Sequence, residues 1–474
     1  MQGNGNFRRT KIVCTIGPAS NTADVVKGLI AAGMDVARLN FSHGDREDHR
    51  RTIRSLRSLA RQTGKSIGIL QDLGGPKIRV GTLENERIVK RDDLVELQPV
   101  PSPDQDTIPV NYPYLLEDVE PGHRILIADG AVQLVAVERR KDRLVCRVID
   151  GGIIRSQKGV NFPSSDLRIT ALTEKDRLDL MVGLEEQVDF VALSFIRTGD
   201  DLQPVQELLG TGRNRPMLIA KIEKPQAIEH LSRILDIADG VMVARGDLGV
   251  EMPLEDVPII QKQIIRLARQ AGKPVITATQ MLTSMLENPR PTRAEVTDAA
   301  NAILDGTDAL MLSDETAVGL YPIEAVAMLD RIARRTEPQL DGRQLLNESF
   351  CELLPTTAEA ISRAACWLAA DLKAAVIVAT TSSGATARHV ARFRPSCPIV
   401  ALTDHEETQR QTMLSWGVIP DLVESFKDTD NMFALARSWA REKGMARTGD
   451  RVIVTAGVPV GVSGTTNLLK VMEI

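Results

Sequence analysis

Residues 217–247 read MLIAKIEKPQAIEHLSRILDIADGVMVARGD. Two apolar, strand-like segments in this stretch end abruptly in charge: Lys221 and Glu223 follow the first, and Arg245 and Asp247 follow the second. Two carboxylates and a lysine at neighbouring strand ends suit a hard divalent cation and a phosphate, because such cations prefer oxygen ligands and the ammonium attracts the anion. The stretch therefore indicates an enzyme of phosphoryl transfer.

The same pattern of an apolar strand that ends in polar residues recurs along the chain. The segments that show it are 10–17, 35–42, 66–72, 188–195, 218–220, 241–244, 274–280 and 309–315. Helical periodicity appears between most of them, as in 46–62, 254–270 and 321–333. Short apolar runs that alternate with helices predict a parallel sheet covered on both faces, and eight such units predict an α/β fold with a closed (β/α)8 barrel.

In a (β/α)8 barrel the catalytic groups come from the carboxyl ends of the strands and the loops that follow them. The polar residues that fall at these positions are Arg38, Asn40, Asp72, Lys221, Glu223, Asp247, Thr279 and Glu315. The strand pattern and the chemistry of the residues therefore predict one site on one face of the barrel.

Two segments interrupt the barrel pattern. From 74 to 166 the helical period disappears, and the strand candidates are 87–90, 94–97, 124–128, 132–137 and 144–148. We interpret this segment as a small β domain inserted after the third strand, which could close over the site and exclude water. The barrel then consists of residues 1–73 and 167–340.

Residues 341–474 begin a second alternation, which predicts a separate doubly wound α/β domain. The strand candidates are 374–380, 398–402, 451–455 and 468–472, and the clearest helices are 358–370 and 431–443. A hydroxyl-rich turn between a strand and a helix favours a phosphate, since backbone N–H groups and the helix dipole point at it. Its residues are Thr381, Ser382, Ser383, Gly384 and Thr386, and a second Gly/Ser/Thr loop occupies 461–466.

The composition is that of an ordinary globular protein, with 43% hydrophobic and 26% charged residues in 474. A net charge of −5 and 3% aromatic residues argue against nucleic-acid binding. No apolar run approaches the length of a membrane span, and the start of the chain does not resemble a signal peptide. The five cysteines are scattered, so we expect neither disulfides nor a zinc site, and a cytoplasmic location fits best.

Each candidate residue also has an ordinary structural explanation. Glu223 and Asp247 could be ion-pair partners of Lys221 and Arg245, and the turn at 381–386 could be a plain helix cap. The six histidines show no metal-ligand spacing. The number of polar strand ends favours the functional interpretation of the two carboxylates.

Several strings together resemble the pyruvate kinase family over nearly the whole chain and in the same order. They are TKIVCTIGPAS, ARLNFSHGD, QDLGGPKIRVG, KGVNFP, LSFIR, AKIEKPQAI, VMVARGDLGVE, ITATQML, NPRPTRAEVTDAANAILDGTDALMLSDETAVGLYP and GTTN. The resemblance implies a (β/α)8 barrel, a mobile lid that forms a small β-barrel, a C-terminal effector domain and a homotetramer. It implies transfer of the phosphoryl group of phosphoenolpyruvate to ADP, with Mg²⁺ or Mn²⁺ as cofactor.

The resemblance also implies roles for individual residues. Those of the reacting centre are phosphoryl stabilisation by Lys221, phosphate binding by Arg38, and Mg²⁺ binding by Glu223 and Asp247. The implied ligands of the substrate carboxylate are Gly246, Asp247 and Thr279. The residues implied near the water chain that protonates the enolate are Thr279, Ser313 and Glu315. The implied nucleotide contacts are Asn40, His43, Arg79 and Lys158, and the implied monovalent-cation ligands are Asn40, Ser42 and Asp72.

The sequence departs from the family pattern at four positions. Leu73 replaces a threonine that helps to hold the monovalent cation, and Lys77 stands where potassium-dependent members have glutamate. We therefore expect no requirement for K⁺. Ser382 replaces a lysine that some members place beside the effector phosphate, which argues against a preference for a sugar bisphosphate. The expected effector is a phosphorylated sugar or AMP. Asp314 replaces a glycine, for which the sequence offers no interpretation.

Two other functions fit parts of the sequence. A metal-dependent aldolase or lyase acting on a pyruvate enolate would use a similar carboxylate platform, and a catalytically silent metabolite sensor would use only the loop at 381–386. The inserted lid, Lys221 and the C-terminal domain favour the kinase. The silent sensor predicts a missing active-site residue, and Arg38, Lys221, Glu223 and Asp247 are all present.

Overall fold

A computed structural model describes residues 7–100, 106–212, 214–340, 356–459 and 465–474. Eight parallel strands form a closed barrel, so the predicted barrel fold is confirmed. We number them β1 (Lys11–Thr15), β2 (Val36–Asn40), β3 (Gly68–Asp72), β4 (Phe190–Leu193), β5 (Met217–Ile222), β6 (Gly240–Ala244), β7 (Val275–Ala278) and β8 (Ala309–Leu312). Each strand pairs with the next one along the chain, and β8 pairs with β1.

Helices surround the barrel. Their bounds are Ala23–Ala32, Arg46–Thr63, Glu174–Glu185, Gln203–Leu209, Pro225–Glu229, Leu231–Ile237, Arg245–Glu251, Val257–Gln270, Arg293–Asp305, Asp314–Ala317 and Pro322–Thr336, with 3₁₀ turns at Gly199–Leu202, Thr283–Leu286 and Glu337–Gln339. The helix predicted at 254–270 begins at Val257, because a turn in which Val257 N donates to Leu254 O precedes it. The separate helix Arg245–Glu251 was not predicted.

The barrel has two apolar layers because successive side chains of a strand point to opposite faces. On β1, Val13 faces the barrel interior, whereas Ile12 and Cys14 pack against the helices. The interior cluster also contains Leu414 from the C-terminal domain. This leucine closes the barrel at the amino ends of the strands, which is the end opposite the predicted site.

A repeated aspartate organises that closed end, which we call the barrel floor. An aspartate directly precedes each even-numbered strand: Asp35, Asp189, Asp239 and Asp308. Each carboxylate accepts a backbone N–H from the adjacent odd-numbered strand at 2.7–3.0 Å, with donors Ile12, Ile69, Leu218 and Val275. Each also pairs with at least one arginine, the set being Arg8, Arg57 with Arg410, Arg215, and Arg394. The floor therefore repeats every two strands.

The inserted segment forms a six-stranded sheet and a separate two-stranded one. The order in the large sheet is Val160–Asn161, Arg124–Ile127, Val132–Arg139, Leu144–Asp150, Leu94–Pro99 and Ile108–Val110, and the small sheet pairs Arg87–Val89 with Gly152–Ile154. Bridges from Arg79 to Gly159 and from Val80 to Val110 link its two edges and nearly close the sheet, as the predicted small barrel requires. A short helix covers Leu115–Asp118. The short strand Arg87–Val89 was predicted as 87–90, whereas the other strands of two or three residues were not, because they are too short to show alternation.

The C-terminal domain is a five-stranded sheet with helices on both faces, which confirms the predicted doubly wound fold. Its strand order is Val418–Leu422, Ile399–Thr403, Val376–Thr380, Arg451–Gly457 and Thr466–Glu473, and only the last strand is antiparallel. Its helices are Thr357–Asp371, Ala385–Ala391, Glu406–Gln411 and Thr429–Glu442, with a 3₁₀ turn at Thr412–Leu414. The edge strand that contains Pro420 was not predicted, because proline weakens the strand signal and is tolerated at a sheet edge.

Two parts of the prediction lie outside the described residues. The proposed start of the C-terminal domain at 341 falls in the segment 341–355, and residues 461–464 of the second Gly/Ser/Thr loop fall in 460–464. Among the described residues, no helix is both long and apolar enough to cross a bilayer.

Candidate active site

Lys221 lies at the centre of the predicted site, near the end of β5. Its Nζ is 2.8 Å from Glu223 Oε1 and 3.4 Å from Asp72 Oδ1, and it donates a hydrogen bond of 2.7 Å to Ser194 Oγ. Burial alone would lower the pKa of Lys221, but Asp72, Glu223 and the nearby Asp247 raise it above its ordinary value. The ammonium is therefore held charged in a fixed position.

Asp72, at the end of β3, joins Lys221 to Arg38. Arg38 Nη2 is 2.7 Å from Asp72 Oδ2, and Arg38 Nη1 donates to Thr15 Oγ1 at 2.8 Å. Burial raises the pKa of Asp72, but Lys221 and Arg38 together hold it below its ordinary value. The carboxylate thus stays ionised and orients two cations that sit on different strands.

Glu223 and Asp247 differ in environment. Glu223 is 1% exposed, and its Oε2 accepts the backbone N–H of Phe195 at 2.8 Å. Burial raises the pKa of Glu223, Lys221 opposes that shift, and Asp247 adds to it, so the net direction is upward. Asp247 is exposed in the first turn of helix Arg245–Glu251, where it lines the cavity described below. Its charge still acts on Lys221 and Glu223.

Glu223 and Asp247 offer carboxylate oxygens to a divalent cation. Hard oxygen donors fit Mg²⁺, which usually takes one or two protein carboxylates and completes its shell with water and substrate phosphates. Among the described residues, no cluster of three or more Asp, Glu, His and Cys side chains could hold a metal ion. The donor set suits a metal that shares its coordination with a phosphorylated substrate, and it does not suit a closed structural site.

Thr279, directly after β7, has a strained backbone. Its φ is +68°, and that of the next residue, Gln280, is +54°. A β-branched residue rarely adopts positive φ, and such strain concentrates at functional sites. Thr279 Oγ1 accepts the N–H of Gly246 at 2.7 Å and donates to Ala278 O at 2.6 Å. The threonine therefore lies against the start of helix Arg245–Glu251.

Ser313 and Glu315 follow β8. The buried Glu315 carboxylate accepts the N–H of Ser313 at 2.8 Å and the N–H of Leu282 at 3.0 Å. Ser313 Oγ is buried and has no hydrogen-bond partner among the described residues. Glu315 therefore fixes the loops after β7 and β8, and the serine hydroxyl remains available to a proton donor or acceptor.

The sequence assigned no role in the site to two residues that hold it together. Ser194 is the hydrogen-bond acceptor of Lys221 and donates to Leu73 O at 2.9 Å. Arg245 pairs with Asp298 at 2.7 Å and donates to Thr279 O at 2.7 Å, so it supports the strained threonine. Ser194 ends the apolar segment 188–195 and could have been found by the strand-end rule.

A cavity of about 350 Å³ lies between the lid and the barrel. The predicted nucleotide contacts His43, Arg79 and Lys158 line it, together with Lys77 and Asp247, whereas Asn40 does not. The pKa of His43 is lowered by burial, by Lys77 and by Arg79, and Asp314 partly offsets this effect. Asp314, for which the sequence offered no interpretation, is exposed. Its charge acts on His43 in the wall of the cavity.

The residues predicted to bind a monovalent cation already use some of their oxygen atoms in contacts within the protein. Asn40 Oδ1 accepts the N–H of Ser42 at 3.1 Å, and Asp72 is engaged by Arg38 and Lys221. Leu73 is fully buried in the apolar core. The pKa of Lys77, an exposed residue, is lowered mainly by partial loss of hydration. The charge of Lys221 lowers it further, and that of Asp247 opposes the shift.

The predicted effector loop joins the strand Val376–Thr380 to helix Ala385–Ala391. Thr386 is buried and shares a hydrogen bond of 2.8 Å with Thr466, the first residue of the last strand. Ser382 O accepts from Thr408, Ser383 O accepts from Arg388, and Thr381 is buried. Gly384 has a φ of +77°, and a Cβ there would meet Arg388 at 2.6 Å, so the turn requires glycine. The two serine hydroxyls are the more accessible groups of the loop.

Comparison with known proteins identifies the family. The family models described as the barrel domain and the alpha/beta domain of pyruvate kinase match residues 7–326 and 359–472. The pyruvate kinase of Geobacillus stearothermophilus is 46% identical over 473 residues, which cover 98% of this chain and 80% of the relative. The pyruvate kinase of Clostridium perfringens is 43% identical, and the match covers 99% of this chain and 100% of the relative.

A solved structure agrees with these relatives. The crystal structure of a pyruvate kinase from Cryptosporidium parvum superposes with a TM-score of 0.93 at 36% identity, covering 98% of this chain and 96% of that one. The alternative of a metal-dependent aldolase or lyase receives no support from these matches. With two matching domains and relatives that align over nearly its whole length, the chain is a phosphotransferase and belongs to the pyruvate kinase family.

Proposed function

We propose that this enzyme transfers the phosphoryl group of phosphoenolpyruvate to ADP in the space between the lid and the barrel, with Lys221 as its central catalytic residue. The observation that carries the proposal is the fixed ammonium of Lys221, held among Asp72, Glu223 and Ser194. Phosphoryl transfer spreads negative charge over the equatorial oxygens, so catalysis depends on positioned cations. Lys221 and Arg38 supply two of them.

Glu223 and Asp247 are the residues that would hold Mg²⁺ or Mn²⁺. When bound, the divalent cation neutralises charge on the phosphoryl oxygens. The upward pKa shift of Glu223 arises from burial and from the neighbouring Asp247, so a bound cation at the two carboxylates would relieve it. The exposed Asp247 reaches the cavity from which substrate enters.

The carboxylate of the substrate is held at the amino end of helix Arg245–Glu251. This pocket consists of the backbone N–H groups of Gly246 and Asp247 and the hydroxyl of Thr279, and the positive end of the helix dipole favours the anion. The Gly246 N–H, which donates to Thr279 Oγ1 in the structure, changes partner to the substrate carboxylate. Thr279, Ser313 and Glu315 then serve the protonation of the enolate. Ser313 Oγ has no other partner among the described residues, and Glu315 orients the serine through its N–H.

The nucleotide binds in the cavity beneath the lid. Three basic residues line this cavity: His43 from the barrel, Arg79 from the hinge and Lys158 from the lid. Closure of the lid therefore completes the contacts to the phosphates of ADP. Asn40, which does not line this cavity, contributes by orienting the loop at Ser42.

The enzyme works without K⁺. The physical reason is charge replacement, since the ammonium of Lys77 lies close enough to Asp247 and Lys221 for their charges to act on it. Leu73 also removes the hydroxyl ligand that the ion would need, and its side chain is buried in the core. Asn40, Ser42 and Asp72 then serve structural roles and do not bind an ion.

A phosphorylated metabolite, a sugar phosphate or AMP, activates the enzyme through the loop that contains Thr381, Ser382, Ser383, Gly384 and Thr386. Accessible serine hydroxyls and a turn into a helix support this assignment. The assembly is a homotetramer, and the location is cytoplasmic. The family resemblance supports the tetramer, and the scattered cysteines support the location.

One assay separates the proposed reaction from the aldolase alternative. Pyruvate formation from phosphoenolpyruvate is measured with Mg²⁺ in the presence and absence of ADP, and ATP is measured in the same samples. We expect pyruvate and ATP in equal amounts and no pyruvate without ADP. Pyruvate release without ADP, or carbon–carbon bond cleavage of a hydroxy-keto acid at a comparable rate, would contradict the proposal.

A further inference from the structure

The loop that follows β2 carries His43, one of the residues that line the cavity beneath the lid. This β2 loop, residues 41–45, connects the strand to helix Arg46–Thr63 and turns at Gly44, whose φ is +76°. His43 is exposed, and its imidazole makes no hydrogen bond in the part of the chain that the structure describes. The position of the imidazole therefore depends on what holds the backbone of the loop.

His49, near the start of helix Arg46–Thr63, holds that backbone. Its Nε2 lies 2.7 Å from the carbonyl oxygen of His43. Because a carbonyl only accepts hydrogen bonds, Nε2 must carry a hydrogen and donate it. Side chains of an α-helix lean toward its amino end, so a residue in this first part of the helix reaches back over the preceding loop. His49 is therefore a donor to the β2 loop.

Packing fixes the imidazole of His49 in this place. It stacks on the ring of Phe41, with 3.9 Å between the ring centroids and an angle of 13° between the planes. Phe41 is 1% exposed and belongs to the apolar core, so it provides a rigid surface. Burial, the largest effect, lowers the pKa of His49, whereas its bond to the His43 carbonyl and the charge of Asp179 raise it. The net direction is downward, so the ring is neutral at neutral pH.

A second donor holds the start of the same loop. Lys175 Nζ donates to the carbonyl oxygen of Phe41 at 2.6 Å, and Asp179 Oδ2 accepts from the same ammonium at 2.5 Å. Lys175 and Asp179 both lie on helix Glu174–Glu185 of the barrel. Neither His49 nor Lys175 is among the residues that line the cavity. The two donors therefore hold the loop from the side away from the cavity, which leaves the His43 imidazole free to meet a ligand.

We propose that His49 is a positioning residue for nucleotide binding, because its hydrogen bond to the carbonyl of His43 sets the place of the His43 imidazole against the phosphates of ADP. This inference rests on the proposed function, in which the nucleotide binds in the cavity beneath the lid. An exposed loop histidine without such support would sample several positions, and binding of ADP would have to order it at a cost in affinity. His49 reduces that cost before the nucleotide arrives, and it does not contact the substrate.

Two variants of the full-length enzyme separate the hydrogen bond from the stacking. His49→Phe keeps a flat ring on Phe41 but removes the donor, whereas His49→Gln removes the ring and keeps an N–H at the reach of Nε2. We expect His49→Phe to raise KM for ADP by about fivefold, which matches the loss of one hydrogen bond. Its kcat and its KM for phosphoenolpyruvate should change by less than about twofold, and so should all three constants of His49→Gln. An effect of His49→Gln as large as that of His49→Phe would overturn the proposal, and so would equal changes in both KM values of His49→Phe.

A third variant keeps the test available if His49→Phe is too unstable to assay. The amide of His49→Asn is too short to reach the His43 carbonyl, so this variant also lacks the donor. The dissociation constant of ADP is measured by isothermal titration calorimetry with Mg²⁺ and without phosphoenolpyruvate, which separates binding from turnover. We expect His49→Asn to weaken ADP binding by about fivefold. An unchanged dissociation constant would overturn the proposal.

Variants of His43 distinguish failure of this inference from failure of the proposed function. His43→Ala should raise KM for ADP, and addition of His49→Phe to it should have no further effect, because His49 acts through His43. If His43→Ala leaves KM for ADP unchanged, the assignment of the nucleotide to this cavity is wrong, and the role of His49 falls with it. If His43→Ala raises KM for ADP and His49→Phe does not, only the role of His49 is overturned. Effects that multiply in the double variant would overturn it as well, since His49 would then act on ADP by another route.

Discussion

Asn161, on an edge strand of the lid, donates a hydrogen bond of 2.7 Å to Glu251 Oε1 of the barrel. The same oxygen is 2.7 Å from Lys224 Nζ, and Glu251 is 5% exposed. Glu251 therefore joins a barrel cation to a lid side chain at the wall of the active-site cavity, which both Asn161 and Lys224 line. This contact links the position of the lid to the barrel.

The first prediction follows from that contact. Asn161→Ala removes a hydrogen bond to a charged group, which is worth about 1.5–3 kcal/mol, and leaves the Lys224–Glu251 ion pair in place. We expect kcat/KM for ADP to fall by about tenfold or more, because the lid loses its contact with Glu251. The control is Asn288→Ala, because Asn288 is exposed and bonds only the Ser284 carbonyl. An unchanged kcat/KM would mean that this contact does not hold the lid.

The second prediction concerns Lys221 and Glu223. Lys221→Met should lose several decades of kcat while metal binding is largely kept, because the variant lacks the cation that neutralises the phosphoryl group. Glu223→Ala should weaken metal binding as well. Metal affinity is followed by titration with Mn²⁺, whose paramagnetism reports the free ion directly. If Lys221→Met kept a tenth or more of the rate, the assigned role would be wrong.

The third prediction is independence from K⁺. The rate at saturating phosphoenolpyruvate, ADP and Mg²⁺ should be the same in buffers free of K⁺ and NH₄⁺ and after KCl is added at matched ionic strength. Lys77→Glu should create a dependence on K⁺, because it removes the ammonium near Asp247 and adds a carboxylate. Lys77→Gln is the matched control, since it removes the charge without adding a ligand of the opposite charge. Activation of the unmodified enzyme by tenfold or more would contradict the prediction.

The fourth prediction concerns the effector loop. An activator must bind the active state more tightly than the inactive one, so its loss should change the response to phosphoenolpyruvate and spare the maximal rate. We expect the Ser383→Ala, Thr386→Ala double variant to lose activation by sugar phosphates and AMP. Since Thr386 also bonds Thr466, Thr386→Ala alone measures the structural part of the effect, and Ser383→Ala alone measures the part due to the ligand. Unchanged activation in the double variant would place the effector elsewhere.

The fifth prediction tests the barrel floor. Asp308→Asn keeps the size of the side chain but leaves Arg394 buried without its counter-charge. Breaking a buried ion pair costs about 3–5 kcal/mol, so the free energy of unfolding measured with denaturant should fall by about that amount. Asp142→Asn, on the exposed turn of the lid, should change stability by less than about 0.5 kcal/mol. A shift as small as that of the control would show that the Asp308–Arg394 pair does not stabilise the floor.

The sequence predicted the barrel well because its strands are buried on both faces and read as continuous apolar runs. It also predicted the polar strand ends, since Lys221, Asp72 and Arg38 lie together as expected. The short lid strands and the edge strand with Pro420 carry no comparable signal. These elements are fixed by pairing between distant residues, and local residue patterns do not record such pairing.

The site contacts that the sequence did not predict depend on tertiary geometry. Arg245 looked like a partner of Asp247, but in the fold it pairs with Asp298 and supports the backbone of Thr279. Asp298 is 53 residues from Arg245 in the chain, so sequence spacing gives no sign of this contact. Likewise, the aspartates that precede the even strands were visible in the sequence, but their arginine partners come from segments far apart in the chain.

The repeat on the barrel floor has a mechanical consequence. The C-terminal domain supplies arginines to two of the four floor aspartates, Arg410 to Asp189 and Arg394 to Asp308. These aspartates precede β4 and β8, which stand diametrically opposite each other in the eight-strand ring. A single attachment would let one domain pivot on the other, whereas two attachments across a diameter remove that rotational degree of freedom. A turn of the C-terminal domain about the barrel axis would therefore break a buried ion pair on opposite sides of the ring at once.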